Sequence, residues 1–444
     1  MAKRRFLALV GLFVAAALAL SACTPGQTPS ATAPHMSSPA DYQGNITLWH
    51  FFTDKDADAV QRAVDAFISV YPQVSVTVKV AQDDDAMRAA IADGQNIDVV
   101  ISYSSDQIGP LCSTGALRDL APFIQDDSLD MNQIPSVVQS YTQFAGSQCA
   151  LPMLTDATGL FYNKTLLQRA GINNPPKNLD ELAADAKALT THNKDGSIKT
   201  LGFMPLVGYY ETNQSNLAAM AGAKWLNNDN TASAVGTDPA WAAILRWQNQ
   251  LIEDLGGFKA LDKWMAGAGD EFSPDNDFET GRLAMQIDGD YRLSMIQNDT
   301  PDLDYGTAPL PTTTPDLYGT GVIDGNIIGI PKGSLNPQLA WQLVKYLAMD
   351  TNTQLQLSDA LHSLPTTNDA LAKQSLTASP QYQTFLNVLG NPNAVTEPRT
   401  VIGTSYADIM AVFIQGWQSG SQTNLAAGLA DVDQQINQRL ASGD

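Results

Sequence analysis

The sequence predicts an α/β protein built as two bodies about a central hinge, on three observations. At 444 residues the chain exceeds the size at which one hydrophobic core normally keeps growing, so two domains are the starting expectation. Between residues 46 and 102, strand-type apolar runs alternate with helix-type runs at the spacing of parallel strands joined by crossover helices. Over residues 151–182, LPMLTDATGLFYNKTLLQRAGINNPPKNLDEL, the chain changes direction through a proline, a short aromatic run and two helix starts. Hydrophobic residues make up 44% of the chain and charged residues 16%, a balance suited to a folded, soluble protein.

The only long apolar run stands at the very start, and residues 1–22 read as an export signal outside the fold. Lys3, Arg4 and Arg5 form a basic n-region, and the apolar stretch 6–20 is shorter than the ~20 residues a spanning helix needs. Leu20-Ser21-Ala22-Cys23 resembles the lipobox of bacterial lipoproteins, which implies a diacylglyceryl group on Cys23 as the first mature residue. The alternative is a plain secretory signal with an incidental cysteine. Residues 23–40 are rich in Pro, Ser, Thr and Ala, with Met36 as the only large apolar side chain, so they predict a disordered tether in which His35 is inert.

The fold is expected to begin at Asn45. A strand over 46–49 leads to a helix over 56–70, whose Ala59, Val60, Ala63, Phe67 and Val70 share one side. Val alternates with Ser, Thr and Lys over 74–80, a second helix spans 84–93, and 97–102 is a continuous apolar strand. Open sheets of this kind bind ligands beyond the carboxyl ends of their strands. That rule nominates His50, Phe51, Phe52, Thr53 and Asp54 after the first strand, Asp83, Asp84 and Asp85 after the second, and Ser102, Tyr103 and Ser104 after the third. Trp49 and Phe51 alternate in direction, so one packs in the core while the other faces the cleft. For Asp83 to Asp85 the competing explanation is electrostatic: carboxylates at a helix start face the positive end of its dipole.

In the hinge stretch, Pro152 restricts Leu151 and forces an extended approach to a short strand over 155–162. A helix starts near Lys164 and stops at Ala170-Gly171, where glycine suits a left-handed cap. Asn178 is the N-cap of the next helix, with Glu181 completing a capping-box pattern. An ordinary strand, helix, loop, helix unit would give the same local pattern. Residues 192–199 form a polar turn that lacks the alternating acids of a calcium loop. A strand over 201–207 leads into Tyr209, Tyr210 and Glu211, either a stacking surface or a packed loop. The helix over 239–255 carries a core stripe of Trp241, Ile244, Leu245, Gln248 and Leu251. A buried strand over 284–287 ends in Asp288-Gly289-Asp290-Tyr291, where aromatic and carboxylate groups converge. Residues 304–311 read as a return crossing, 325–331 as another strand ending, 340–349 as a helix, and 425–440 as a final helix with one packing face.

Cys112 and Cys149 remain in the mature chain. In an oxidising exterior two thiols pair more readily than they stay free, and such a bridge contributes roughly 3 to 4.7 kcal/mol in the chain-entropy view. Two buried thiols are the alternative. No CxxC spacing suggests a metal or redox role. The net charge of -21 and pI of 4.4 argue against nucleic-acid or anionic-membrane binding, which needs clustered Lys and Arg.

Taken in order, LFYNKTLLQRAGINNPPKNLDEL, FETGRLAMQIDGDYR, DYGTAPLP, IIGIPKGSLNPQLAWQLVKYL and LPTT resemble the motifs of the extracellular solute-binding proteins of ABC importers, family 1, the maltose-binding-like group that carries sugars and oligosaccharides. The resemblance covers residues 45–440. It implies the type II periplasmic-binding-protein-like fold, two α/β lobes joined by hinge crossings with the ligand cleft between them. Lobe one would hold residues 41–150 and 306–369, and lobe two 151–305 and 370–444. It implies no catalysis and no cofactor or metal: a carbohydrate is captured by lobe closure and handed to the permease subunits of the importer. It also implies an extracytoplasmic protein held to the membrane through Cys23. Sugar recognition needs planar side chains for the ring faces and carboxylates and amides for the hydroxyls. The candidates are Trp49, His50, Phe51, Asp54, Asp83, Asp85, Tyr103, Asp156, Tyr209, Tyr210, Glu211, Asp288, Asp290, Tyr291, Asp324 and Asn326. Two departures from the family stand out. Gly289-Asp290-Tyr291 replaces the frequent Gly-Pro-Trp, implying a smaller or differently hydroxylated sugar, and Asp324-Gly325-Asn326 stands where an aromatic and glycines are common.

Rival readings are a secreted glycoside hydrolase and a binding protein of the same architecture for a polyol, metal ion or phosphorylated solute. A hydrolase needs two carboxylates about 5 to 9.5 Å apart across a bond, and no motif places such a dyad. No GxSxG word supports a nucleophile triad. Only His50 and His362 fall near strand ends or late loops, thin for a metal site, and no Arg or Lys cluster suits phosphate.

Overall fold

The computed structural model describes residues 38–374 and 379–443. The signal, Cys23, His35 and the tether up to residue 37 lie outside them. The last expected tether residues are part of the fold: Pro39–Asp41 is a 3-10 turn capped by Ser38, and Gln73 Nε2 donates to the Ala40 carbonyl at 2.8 Å. Among the described residues no helix is long and apolar enough to cross a membrane.

The strands in chain order are β1 (Gly44–His50), β2 (Val74–Lys79), β3 (Val99–Ser102), the small hairpin β4 (Gln143–Phe144) and β5 (Ser147–Gln148), β6 (Ala150–Asn163), β7 (Thr191–His192), β8 (Ile198–Phe203), β9 (Leu283–Gly289), β10 (Tyr305–Ala308), β11 (Val322–Gly329), β12 (Leu364–Pro365) and β13 (Val395–Thr396). The main sheet runs β2-β1-β3-β11-β6-β9-β8-β7. β1 pairs in parallel with β2 and β3, as the alternation of strands and helices requires, with helices Asp54–Val70 and Asp84–Ala92 as the crossovers.

β6 differs from expectation. It is one continuous strand of 14 residues that includes Leu151 and Pro152, not a short strand with an extended approach. A proline inside a central strand is tolerated only where the ladder is irregular, and here the register against β11 shifts so that Met153 is passed over between Pro152 and Leu154. The Met153 carbonyl thus released is taken up by Gln354 Nε2 at 2.6 Å. The N-terminal part of β6, up to Ala157, pairs antiparallel with β11, and Thr158 to Tyr162 pair with β9. β10 takes the other edge of that second part. The strand therefore changes partners at Ala157/Thr158, and the two halves of the sheet meet there.

Local signals around β6 hold. Helix Lys164–Arg169 is capped by Asn163 and followed by Gly171 at φ 77°. Asn178 accepts from Glu181 N at 2.9 Å, while the Glu181 carboxylate accepts from Lys177 N rather than from the cap residue itself. The stripe on helix Pro239–Asp254 is buried as expected and packs with Leu425, Leu429, Val432 and Ile436 of the final helix Leu425–Ser442 in the core of the second half. A second core gathers Trp49, Val100, Ile108 and Ile327 with Phe161 and Phe385. Cys112 and Cys149 are joined by a disulfide, their Cα atoms 5.9 Å apart, and it ties helix Ile108–Ser113 to the residue before β6.

Candidate functional site

A cavity of about 440 Å³ opens where β6 changes partners. One wall comes from the loops after β1 and β3. Phe51 lies against Phe52 with centroids 4.0 Å apart, and Tyr103 meets Phe51 edge-on at 5.2 Å. The Tyr103 backbone is fixed from two sides: Asn326 Nδ2 donates to its carbonyl at 2.8 Å, and its N–H donates to Asp84 at 3.3 Å. The opposite wall comes from the turn after β9. There Tyr291 donates its hydroxyl to Glu211 Oε1 at 3.0 Å and leans on Phe272 at 5.9 Å. Gly289 makes that pose possible, because a Cβ there would lie 2.2 Å from the Tyr291 ring.

Between the walls stand Asp156 of β6 and Asp324 of β11, direct cross-strand partners that both line the cavity. They are held differently. Asp324 is saturated with donors: Ser104 Oγ at 2.9 Å, Ser105 N at 3.1 Å and Ser105 Oγ at 2.6 Å. Asp156 Oδ1 is shut off from solvent and has no hydrogen-bond partner. Burial, opposed by a hydrogen bond from the Ser363 hydroxyl and aided by the charge of Asp324, pushes the Asp156 carboxyl up to about 7. Glu211 is likewise pushed up to about 7, by burial first and then by Asp288. Asp56 and Glu397 complete the acidic lining, with Tyr406 donating to Glu397. Among the described residues no Lys, Arg or His lines this cavity.

Of the sugar-contact candidates named from sequence, Phe51, Tyr103, Asp156, Glu211, Tyr291, Asp324 and Asn326 come together here. The others do not, each for a local reason. Trp49 is buried in the core it shares with Val100 and Ile108, with Lys79 Nζ 3.7 Å from its ring centre, so of the alternating pair it is Phe51 that faces the cleft. β1 extends through His50, which is fully buried beside Phe52, and burial lowers its pKa to about 4. Asp54 is exposed at the first position of its helix. Asp83 caps helix Asp84–Ala92 through Ala86 N at 2.7 Å, and Asp85 pairs with Arg88 at the surface. The acid of that trio turned inward is Asp84. Tyr209 and Tyr210 stack on each other at 4.0 Å, and their hydroxyls bond Asp277 and the Gly269 carbonyl, which makes them a packed loop. Asp288 is buried against Arg292 Nε at 2.7 Å. Asp290 turns behind β6, where its Oδ1 accepts from Ala157 N at 2.8 Å, so it adds no carboxylate to the cavity.

Phe52, nominated with the stretch after β1, lines the cavity too, and sequence reasoning missed Phe272, Ser363 and Glu397, which also line it. Phe272 sits in a loop of turns with no periodicity. Ser363 and Glu397 come from the last quarter of the chain, brought in by β12 pairing with β6 and β13 pairing with β11. No local pattern marks such pairs.

The chain matches the bacterial extracellular solute-binding protein family over residues 53–354. It is 24% identical over 341 residues to the maltotriose-binding protein of Pyrococcus abyssi, covering 74% of this chain and 68% of that protein. It is 26% identical over 372 residues to a probable ABC transporter-binding protein of Deinococcus radiodurans, covering 80% of this chain and 84% of the relative. Among solved structures, CpMnBP1 with mannotriose bound superposes with a TM-score of 0.78 at 24% identity, covering 89% of this chain and all of that one, and shows the same two-lobed α/β fold. With more than half of its length inside the family's match and its cavity at the junction of two sheet halves, this chain belongs to the bacterial extracellular solute-binding proteins.

Proposed function

We propose that this protein is the sugar-capturing component of an ABC importer, binding a saccharide or short oligosaccharide between its lobes and presenting it, unaltered, to the membrane permease. The observation that carries the reading is the convergence of aromatic faces (Phe51, Tyr103, Tyr291) and hydroxyl-binding groups (Asp156, Glu211, Asp324, Asn326) on one cavity. Rings cover the apolar faces of a pyranose while carboxylates and amides accept from its hydroxyls. The names of the relatives, which bind maltotriose and mannotriose, favour the same class. The first lobe is built from residues 41–150 with 306–369 and the second from 151–305 with 370–444 as read from the sequence, with the pairing of β6 and β10 favouring boundaries a few residues later, at Ala157/Thr158 and beyond Ala308. Closure is a population shift driven by tighter binding to the closed state, with β6, which exchanges β11 for β9 at Ala157/Thr158, as a crossing between the lobes. Cys23 anchors the mature chain to the outer face of the membrane.

A thermal-shift screen against mono-, di- and oligosaccharides tests this. A ligand at about 100 times its Kd stabilises the folded state by about 2.7 kcal/mol, a readily measured rise in Tm. The rise is expected for at least one sugar and is expected to disappear in Tyr291→Ala, whose unliganded fold survives. No response to any carbohydrate overturns the proposal. New reducing ends after incubation with the bound oligosaccharide would return the hydrolase reading.

A further inference from the structure

The cavity has a neighbour. Ser215, Val322 and Glu397 line it and also line a second cavity of about 460 Å³, so the two meet at a shared wall. Each volume falls in the range of small-molecule sites, about 300 to 1,000 Å³. One side of the second cavity is helix Gln214–Ala221 with the turn that follows it, and the other is the segment 392–399 with Leu317. Ser215, in the first turn of the helix, belongs to both cavities, whereas Gly222 and Trp225, past its end, belong only to the second. At 1.5 Å per residue the eight-residue helix carries the lining roughly 12 Å further, more than one pyranose ring spans. The polar groups change along the way. The first cavity presents the acceptors Asp56, Asp156 and Asp324, whereas the second presents donors in Asn230, Asn393 and Arg399, and among the described residues its only carboxylate is the shared Glu397. That carboxylate is fixed in the wall by the hydroxyls of Tyr406 and Ser215.

We infer that the two cavities are consecutive parts of one groove, and that the solute is a linear oligosaccharide longer than a disaccharide, which runs past Glu397 to end between Trp225 and Asn393. This rests on the carbohydrate reading and narrows it by length. A sugar hydroxyl both donates and accepts, so one chain of sugars gives protons to the acids of the first cavity and takes them from the amides and the guanidinium of the second. A cationic solute suits only the first part and an anionic one only the second. A monosaccharide seated between Phe51 and Tyr291 leaves the second part, with the 39% exposed Val395 on its lining, uncovered.

Calorimetric titration of the purified protein with two ladders, α-1,4-linked glucose and β-1,4-linked mannose from one to six units, decides the matter. In a ladder that binds, affinity is expected to keep rising past the disaccharide, at least tenfold by the longest member. Val395→Trp and, separately, Lys224→Trp put bulk into the second cavity from positions that are already exposed. Each is expected to remove that rise and to leave disaccharide binding as in the wild type. Equal affinity for the disaccharide and all longer members, or a rise that persists in both folded variants, overturns the inference. The wild-type ladders decide even where neither variant folds. If the short sugars bind without a gain from length, the sugar-capture reading survives that result. If neither ladder binds, the inference falls, and the wider thermal-shift screen decides separately whether sugar capture falls with it.

Discussion

Asp288 and Asp156 lie on adjacent, hydrogen-bonded strands; the Asp288 side chain is fully buried, whereas Asp156 lines the cavity with only its Oδ1 enclosed. Asp288 accepts from Arg292 Nε, from Gln286 Nε2 at 2.7 Å and from Gly289 N at 2.9 Å. Arg292 in turn reaches Glu279 at 3.2 Å, so a fully buried cation is matched by two buried anions. This network fixes the turn that presents Tyr291. Asp156 has none of it: burial and the neighbouring Asp324 raise its pKa, and one oxygen waits without a donor. The difference separates a charge that builds the site from a charge that uses it. A carboxylate intended for structure is surrounded by donors, whereas one left short of donors in a cavity wall is available to a ligand.

The largest expected effect breaks the structural side of the pair. Arg292→Ala leaves Asp288 and Glu279 buried without their cation, and stripping one partner from a buried network typically costs about 3 to 5 kcal/mol. Urea denaturation should show the loss in the unliganded protein. A cost under about 1 kcal/mol would mean that the network is relaxed in solution.

The next concerns Asp156. Its folded pKa, about 7, lies above the ordinary carboxylate value, as does that of Glu211, so between about pH 4 and 7 the folded state binds more protons than the unfolded one. Stability without ligand is therefore highest near the acidic end of that window. It falls as pH rises towards 7 and levels off above it. Asp290, raised by burial and by Asp156, titrates with its neighbour. Asp156→Asn should make the fall shallower and leave the protein more stable at pH 8, on the order of 1 kcal/mol. Thermal melts across pH read this directly, and an unaltered slope in D156N would place the raised group elsewhere.

The smallest effect sharpens the boundary between the two regions. Tyr291→Phe removes the hydroxyl that joins the turn to Glu211 and keeps the ring over Gly289. It should cost about 1 kcal/mol of stability, the worth of one hydrogen bond, while the stacking face for a ligand remains. A complete loss of binding in this variant would show that the hydroxyl, and not the ring, contacts the solute.

How much of this was legible in the sequence differs between the two regions. Strand alternation, the helix start near Lys164, the cap at Asn178 and the aromatic-acidic turn after β9 are local patterns, and each stands in the structure close to where the pattern put it. Nomination by position along a strand was less secure. It grouped Asp288, Asp290 and Tyr291 alike, yet only Tyr291 lines the cavity, because Arg292 claims one carboxylate and the Ala157 backbone the other. The acids of 83–85 were sorted in the same way, by a cap, a surface ion pair and the Tyr103 backbone.

By itself the sequence determined the α/β alternation, the parallel start of the sheet and the family, since these follow from periodicity, capping residues and ordered motifs over short spans, while the bridge between Cys112 and Cys149 stayed open until the structure closed it. Only the tertiary structure decided that β6 runs unbroken through Pro152, that Ser363 and Glu397 join Phe51 and Tyr291 around one cavity, and that Asp156 Oδ1 lacks a donor while the Asp288 carboxylate has three. Those outcomes depend on contacts between residues far apart in the chain, and a buried carboxylate's state is set by which distant donors and charges reach it.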